Sequence, residues 1–271
     1  MQASNLNEIL TTLKDSSGNL TEFDESWSQG RSAFGGLSAA FAVTAMRKLV
    51  AEDIPLRSLM VSFTAPIPPG EVTVQTRIQR EGKNVMQLNA DVISGGASCL
   101  QAMGVFGKAR PATAAPPIDS VDPKPRDQGI AFSEHSKRLP AFLKYFDGCW
   151  TGGGLPLSGT KARELSLWAR HNGSLDGFAA ELICIIADIP PPVMLSHFTE
   201  PTPASSLTWS LEFVIPAEEI ETEWFYLDFT LEAAADGYTQ QSGRIYTEDG
   251  QLCALSRQCM VYFEQSGHNK K

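Results

Sequence analysis

One stretch limits what this chain can fold into more than any other: the run from Leu175 to Asp188, which passes directly into Ile189-Pro190-Pro191-Pro192. Phe178, Leu182, Ile185, Ile186 and Ile189 recur at the three-and-four spacing of a helix, and most positions between them are also apolar. The spacing predicts a helix buried almost all round. A helix of that kind needs cover on every side, and the proline run ends it abruptly. Asp188 then falls in its last turn, where the negative end of the helix dipole and the loss of water both disfavour a carboxylate. Two readings stand for it: an acid kept for function, or an aspartate turned outward onto backbone amides beside the prolines.

A second buried helix is predicted in the first half. Gly35-Gly36 opens the alanine-rich run Leu37 to Val50, whose small residues let a helix lie close to other backbone. The glycine pair is either a tight turn or a place where free helix amides meet a ligand oxygen. Strand-like segments follow at Leu56 to Ala65, Glu71 to Arg80, Asn84 to Ser94 and Ser98 to Lys108, separated by glycine- and proline-rich turns. One helix followed by antiparallel strands gives an α+β unit in which the apolar face of the sheet wraps the helix.

Residues 111–130 are rich in proline and poor in large apolar residues, and read as an extended connection between two units, 1–110 and 131–271. The second unit repeats the first. Leu139 to Trp150 and Leu165 to Arg170 precede the helix, and Ser206 to Pro216, Glu221 to Ala233, Tyr238 to Tyr246 and Leu252 to Phe263 follow it. Ser58 to Pro68 lies over Ser206 to Pro216 with Ser, Leu, Ser, Ile and Pro coincident at one offset, 206 − 58 = 148. Two such sheets can join edge to edge into one continuous sheet, which removes a pair of exposed edges.

The formal net charge of −9 argues against nucleic acid or an anionic membrane as partner. The five cysteines are odd in number and form no Cys-x-x-Cys or Cys/His spacing, so neither a disulfide framework nor a metal site is signalled. The residues from Met1 to Glu8 have neither a basic start nor an apolar run, and no stretch is long enough to span a bilayer. The expected location is the cytoplasm.

Taken together, Phe34 to Ala40, Val61 to Gly70, Ser166 to Arg170, Ala187-Asp188 and Tyr246 to Gln258, in this order and spacing, resemble the acyl-CoA thioesterase II (TesB-like) family from about Phe23 to Phe263. The resemblance implies a double hotdog, each long helix wrapped by its own antiparallel sheet. It also implies hydrolysis of acyl-CoA without a metal or organic cofactor, and association into homodimers. The family's centre is an Asp, a Thr or Ser, and a Gln that together position the attacking water. By resemblance these are Asp188, Ser206 and Gln258, with backbone amides at Gly35 and Gly36 as oxyanion donors. This chain departs from the family at the hydroxyl, where the best-known members carry Thr, and a few residues later at Thr208 and Trp209. A small shift would give the hydroxyl role to Thr208 or Ser205.

Two other functions fit the same architecture. A hotdog hydratase or dehydratase would pair a histidine with an acid, and the candidates nearest Asp188 in sequence are His171 and His197, with His135 and His268 farther off. A non-catalytic acyl-CoA-binding protein would bind without turnover, since fold alone does not fix function. Coenzyme A phosphates would need cations, for which Arg31, Arg77, Lys83, Arg170, Arg244 and Arg257 are available.

Overall fold

The computed structural model describes residues 5–113, 115–135 and 139–264. In chain order the helices are α1 (Leu6–Asp15), α2 (Gly35–Arg47) and α3 (Ala179–Ala187). The strands of the first half are β1 (Leu20–Phe23), β2 (Ser28–Gln29), β3 (Ser32–Ala33), β4 (Leu56–Phe63), β5 (Gly70–Glu81), β6 (Val85–Ser94) and β7 (Ala97–Gly107). Those of the second are β8 (Ile130–Ala131), β9 (Phe146–Gly153), β10 (Glu164–His171), β11 (Ala204–Phe213), β12 (Phe225–Ala235), β13 (Tyr238–Tyr246) and β14 (Leu252–Tyr262).

All of these strands except the small hairpin β2–β3 form one sheet in the order β1-β5-β6-β7-β4-β11-β14-β13-β12-β10-β9-β8. The order is palindromic about the β4–β11 seam: β7, β6 and β5 on one side answer β14, β13 and β12 on the other. At the seam Val61 pairs with Trp209 in an antiparallel register. The repeat offset read from the sequence relates the same two residues, 61 + 148 = 209, so the pseudo-twofold axis passes between them. This is a double hotdog whose two half-sheets have fused.

The helices α2 and α3 lie antiparallel on one face of the sheet. Gly36 of α2 packs so tightly on α3 that a Cβ there would fall 2.9 Å from the Ile185 Cα. At the far end of the pair the Thr44 hydroxyl donates to Glu181 Oε1 at 3.0 Å. Residues 36 to 46 of α2 are buried without a break, as its small side chains require, and Ile183, Ile185 and Ile186 of α3 are equally enclosed. Each such isoleucine contributes roughly 1.5–3 kcal/mol of burial.

Two findings go beyond the sequence reading. The helix α1, capped by the Asn5 side chain accepting from the Asn7 N–H, buries Leu6, Ile9, Leu10 and Leu13 beside α2. The proline-rich stretch is more than a connection, because residues 119–126 of it dock on the outer face of the second half-sheet. The Val121 N–H donates to the Gly250 carbonyl at 3.0 Å, the Trp168 indole N–H to the Lys124 carbonyl at 2.7 Å, and the Arg126 guanidinium lies over Trp168 and Trp224. Trp168, Tyr226, Tyr246 and Leu252 form a small apolar cluster there with Val121 of the segment against it.

Candidate active site

Asp188 is the residue that ends α3, with φ −101° and ψ 2°. No helical bond can follow, because Pro190, Pro191 and Pro192 carry no N–H. Its side chain does not turn out to solvent. The carboxylate faces the first turn of α2, where the Gly36 N–H donates to it, and Gln258 Nε2 of β14 donates to Oδ1 at 2.7 Å. The close approach explains the glycine pair: a Cβ on Gly35 would lie 2.6 Å from Asp188 Oδ2 and 3.4 Å from the Phe63 ring. Gly35 and Gly36 are there for proximity, and both have negative φ.

Burial pushes the Asp188 carboxyl up to about 7, against the lowering effect of the Gln258 and Gly36 hydrogen bonds. The positive end of the α2 dipole points at the same carboxylate. The result is an acid that changes protonation near neutrality, the range in which a general base works best.

Gln258 faces the helices because β14 alternates: Ser256, Gln258 and Met260 are buried, and Leu255 and Arg257 are exposed. Its Oε1 accepts from Gln241 Nε2 of β13 at 3.1 Å. Gln241, which the sequence reading missed, in turn accepts from the Val193 N–H at 2.9 Å through Oε1. A signal was present: counting back in twos from the apolar Ile245 puts Gln241 on the buried face of its strand.

The hydroxyl candidates separate by face. A register shift between Ser206 and Thr208 places Ser206 opposite Met260, and Thr208 opposite Cys259. Directly opposed residues share a face, so Ser206 lies on the helix side with Met260, two pairs along from the Trp209–Gln258 pair. Thr208 lies on the outer side and is exposed, as is Ser205. Among the described residues neither the Ser206 nor the Thr208 hydroxyl is hydrogen-bonded to Asp188 or Gln258. Trp209, opposite Gln258, is buried and donates its indole N–H to Ser256 Oγ at 2.9 Å.

The other candidates fall elsewhere. His171 Nδ1 meets the Gly173 carbonyl, and His197 Nε2 lies 3.1 Å from the Ala162 carbonyl; neither is bonded to the aspartate. The His135 side chain and His268 lie outside the described residues. Arg170 is paired with Asp147 and Glu223. Arg77 and Arg257 line a cavity of about 670 Å³ with Met60, Gln101, Met103 and Gln240, on the sheet face away from Asp188. The cysteines are free, and burial holds the Cys253 thiol at about 12 and that of Cys184 well above its ordinary value, so neither supplies a thiolate nucleophile.

Comparison with known proteins agrees with this architecture. The double hotdog is similar to a hot dog fold protein from Alicyclobacillus acidocaldarius, with TM-score 0.78 and 16% identity over 91% of this chain and 93% of that one. It is similar to an acyl-CoA thioesterase II from Mycobacterium marinum, with TM-score 0.73 and 17% identity over 96% of this chain and 100% of the other. A tesB protein from Mycobacterium avium subs paratuberculosis gives TM-score 0.73 and 18% identity over the same shares. No curated protein sequence matches the chain. The family models for the acyl-CoA thioesterase N-terminal domain and C-terminal domain match residues 23–107 and 113–262, in that order. The chain therefore belongs to the acyl-CoA thioesterase family.

Proposed function

We propose that the protein hydrolyses acyl-CoA thioesters by direct attack of a water activated at Asp188. The observation that carries this reading is a half-buried carboxylate held between the Gly36 N–H and Gln258 Nε2, in surroundings that push it up to about 7. In its ionised form Asp188 takes a proton from water while the oxygen attacks the thioester carbonyl. The tetrahedral intermediate collapses with loss of the thiolate, which recovers the proton, so that acyl-CoA and water give a carboxylic acid and coenzyme A. Gln258 has a second Nε2 hydrogen with which to orient the water. Ser206, the predicted hydroxyl on the same face of the sheet, shares that task. The Gly36 amide is occupied by the carboxylate, which leaves Gly35, at the start of α2, as the other predicted oxyanion donor.

The test is release of free thiol from short, medium, long and aromatic acyl-CoAs by the native protein and by Asp188→Asn, with circular dichroism to confirm folding. The expected loss is roughly 10²- to 10⁴-fold, the usual contribution of a general base. Full activity in a folded Asp188→Asn protein would overturn the mechanism. Tight binding of acyl-CoA with no turnover by the native protein would overturn the activity.

A further inference from the structure

The polar chain that begins at Asp188 continues through the sheet and ends on the backbone. Gln241 is 1% exposed and sits opposite Gln258 in the β13–β14 register. Its carboxamide bridges two groups, donating from Nε2 to Gln258 Oε1 at 3.1 Å and accepting at Oε1 from the Val193 N–H at 2.9 Å. Val193 is the first residue after Ile189 that has a backbone N–H, because the three residues between are prolines. It opens a short turn, Val193–His197, in which that N–H has no partner within the turn.

The two ends of this chain give it a direction. A backbone N–H can only donate, so Gln241 must present Oε1 to Val193 and Nε2 to Gln258. Gln258 must then present Oε1 to Gln241 and is left with Nε2 for Asp188, where an ionised carboxylate can only accept. Reversing either amide would set two donors or two acceptors against each other in a buried space, where an unmade hydrogen bond is costly. The same proline run that ends α3 at Asp188 thus also leaves Val193 as the donor that sets the chain's direction.

We propose that Gln241 is a positioning residue of the hydrolytic site: through the Val193–Gln241–Gln258 relay it holds the Gln258 carboxamide with Nε2 toward Asp188. This rests on Asp188 being the hydrolytic base. The relay belongs to one half of the molecule only, since the residue that occupies the Gln241 position in the first half-sheet is Ala90, opposite Ala102. The other groups facing Asp188 are the Gly36 amide and the Cys184 thiol, which stays protonated.

Two variants and two readouts test the relay. Gln241→Glu keeps the shape and still accepts from Val193, but when ionised it has no hydrogen for Gln258, so Gln258 turns its Nε2 away from Asp188. Gln241→Met keeps the length and leaves Gln258 free to adopt either orientation. We expect kcat for thiol release to fall roughly 10- to 100-fold in Gln241→Glu, about what one hydrogen bond to a charged group is worth, and less in Gln241→Met. KM should stay within about threefold, because the lost interaction acts on the reacting centre and not on ground-state binding.

The second readout does not depend on turnover: carbon NMR of the Asp188 carboxyl against pH, with a midpoint higher in both variants than in the native protein. A purely structural role for Gln241 would lower stability in both variants and leave kcat per folded molecule and the Asp188 midpoint unchanged, and that result overturns the proposal. If the native protein turns over no acyl-CoA, the thioesterase reading fails and the NMR midpoints still decide whether the relay acts on Asp188. If neither variant folds, the native protein supplies the test: the side-chain amide protons of Gln258 and Gln241 must both shift with the Asp188 midpoint. A Gln241 amide indifferent to that titration refutes the relay.

Discussion

The two ends of the α2–α3 pair each hold one carboxylate, Asp188 half-buried and Glu181 buried, and they differ in what surrounds it. At one end Asp188 meets the first turn of α2 and is wired through Gln258 and Gln241 into the sheet. At the other Glu181 accepts from the Thr44 hydroxyl, with the Arg47 and Glu218 charges near it. The sheet beneath shows the same asymmetry. The inward row across the seam reads Ala90, Ala102, Val61, then Trp209, Gln258, Gln241, so three apolar residues of one half-sheet face an indole and two carboxamides of the other. Where Asp188 ends α3, Lys48 ends α2. Duplication has left two pseudo-equivalent places, of which one carries polar chemistry and the other is packed as core.

The sharpest way to break this comparison is to put one methyl group at each helix start. At Gly35 an added Cβ meets Asp188 Oδ2 at 2.6 Å, so Gly35→Ala must displace the carboxylate or the helix. A displacement of about 1 Å in a catalytic group can cost roughly 10²-fold, and we expect thiol release to fall by about that factor. The counterpart at the start of α3 already has the methyl, and Ala179→Gly should cost less than about 1 kcal/mol in stability and leave turnover unchanged. Equal turnover in the native protein and Gly35→Ala would show that the contact between α2 and Asp188 does not matter.

Much of this arrangement was legible in the sequence because it rests on local signals. The helix-plus-proline run, the alanine-rich helix after Gly35-Gly36 and the 148-residue offset are all periodic or repeated features, and the offset locates the pseudo-twofold at Val61 and Trp209. What the sequence hid depends on pairing between distant strands. The shift between Ser206 and Thr208, which sends the two hydroxyls to opposite faces, is a property of how β11 meets β14 and has no marker in the residues themselves. Docking of residues 119–126 was missed because proline-rich composition describes a segment's stiffness and says nothing of the aromatic surface it covers. The helix α1 was missed although Leu6, Ile9, Leu10 and Leu13 carry the helical spacing.

Titration separates the two carboxylates by a second route. Burial pushes both Glu181 and Asp188 up to about 7. A folded-state value above the unfolded one means that the native protein binds a proton the unfolded chain does not. The stabilisation is therefore complete below the ordinary carboxylate range and is lost as pH rises to about 7. We expect urea unfolding to show a more stable protein at pH 5 than at pH 8, with Glu181→Gln removing roughly 2 kcal/mol of that difference. The same variant should leave the acid limb of kcat/KM near pH 7, because that limb belongs to Asp188. An unchanged stability difference, or a displaced limb, would mean that the two carboxylates are not independent.

The smallest expected effect concerns Lys48, the residue that ends α2 as Asp188 ends α3. Its ammonium donates to the Ser16 carbonyl at 2.6 Å and approaches the Leu13 carbonyl at 3.4 Å, tying the end of α1 to the end of α2. A cation at a helix C-terminus contributes about 0.3–1 kcal/mol, so Lys48→Met should lower stability by no more than that and leave turnover alone. The stronger form of the experiment combines Lys48→Asp with Asp188→Asn, which moves the acid from the end of α3 to the end of α2. Position 48 is exposed, the half-sheet on that side carries Ala102 and Ala90 where the other has Gln258 and Gln241, and α3 starts on alanines where α2 starts on the glycine pair. An aspartate at position 48 should therefore restore no thiol release, although it too ends a long buried helix of a hotdog unit. Recovery of activity would show that position on the hotdog scaffold suffices, and that the carboxamides and glycines around Asp188 are incidental to it.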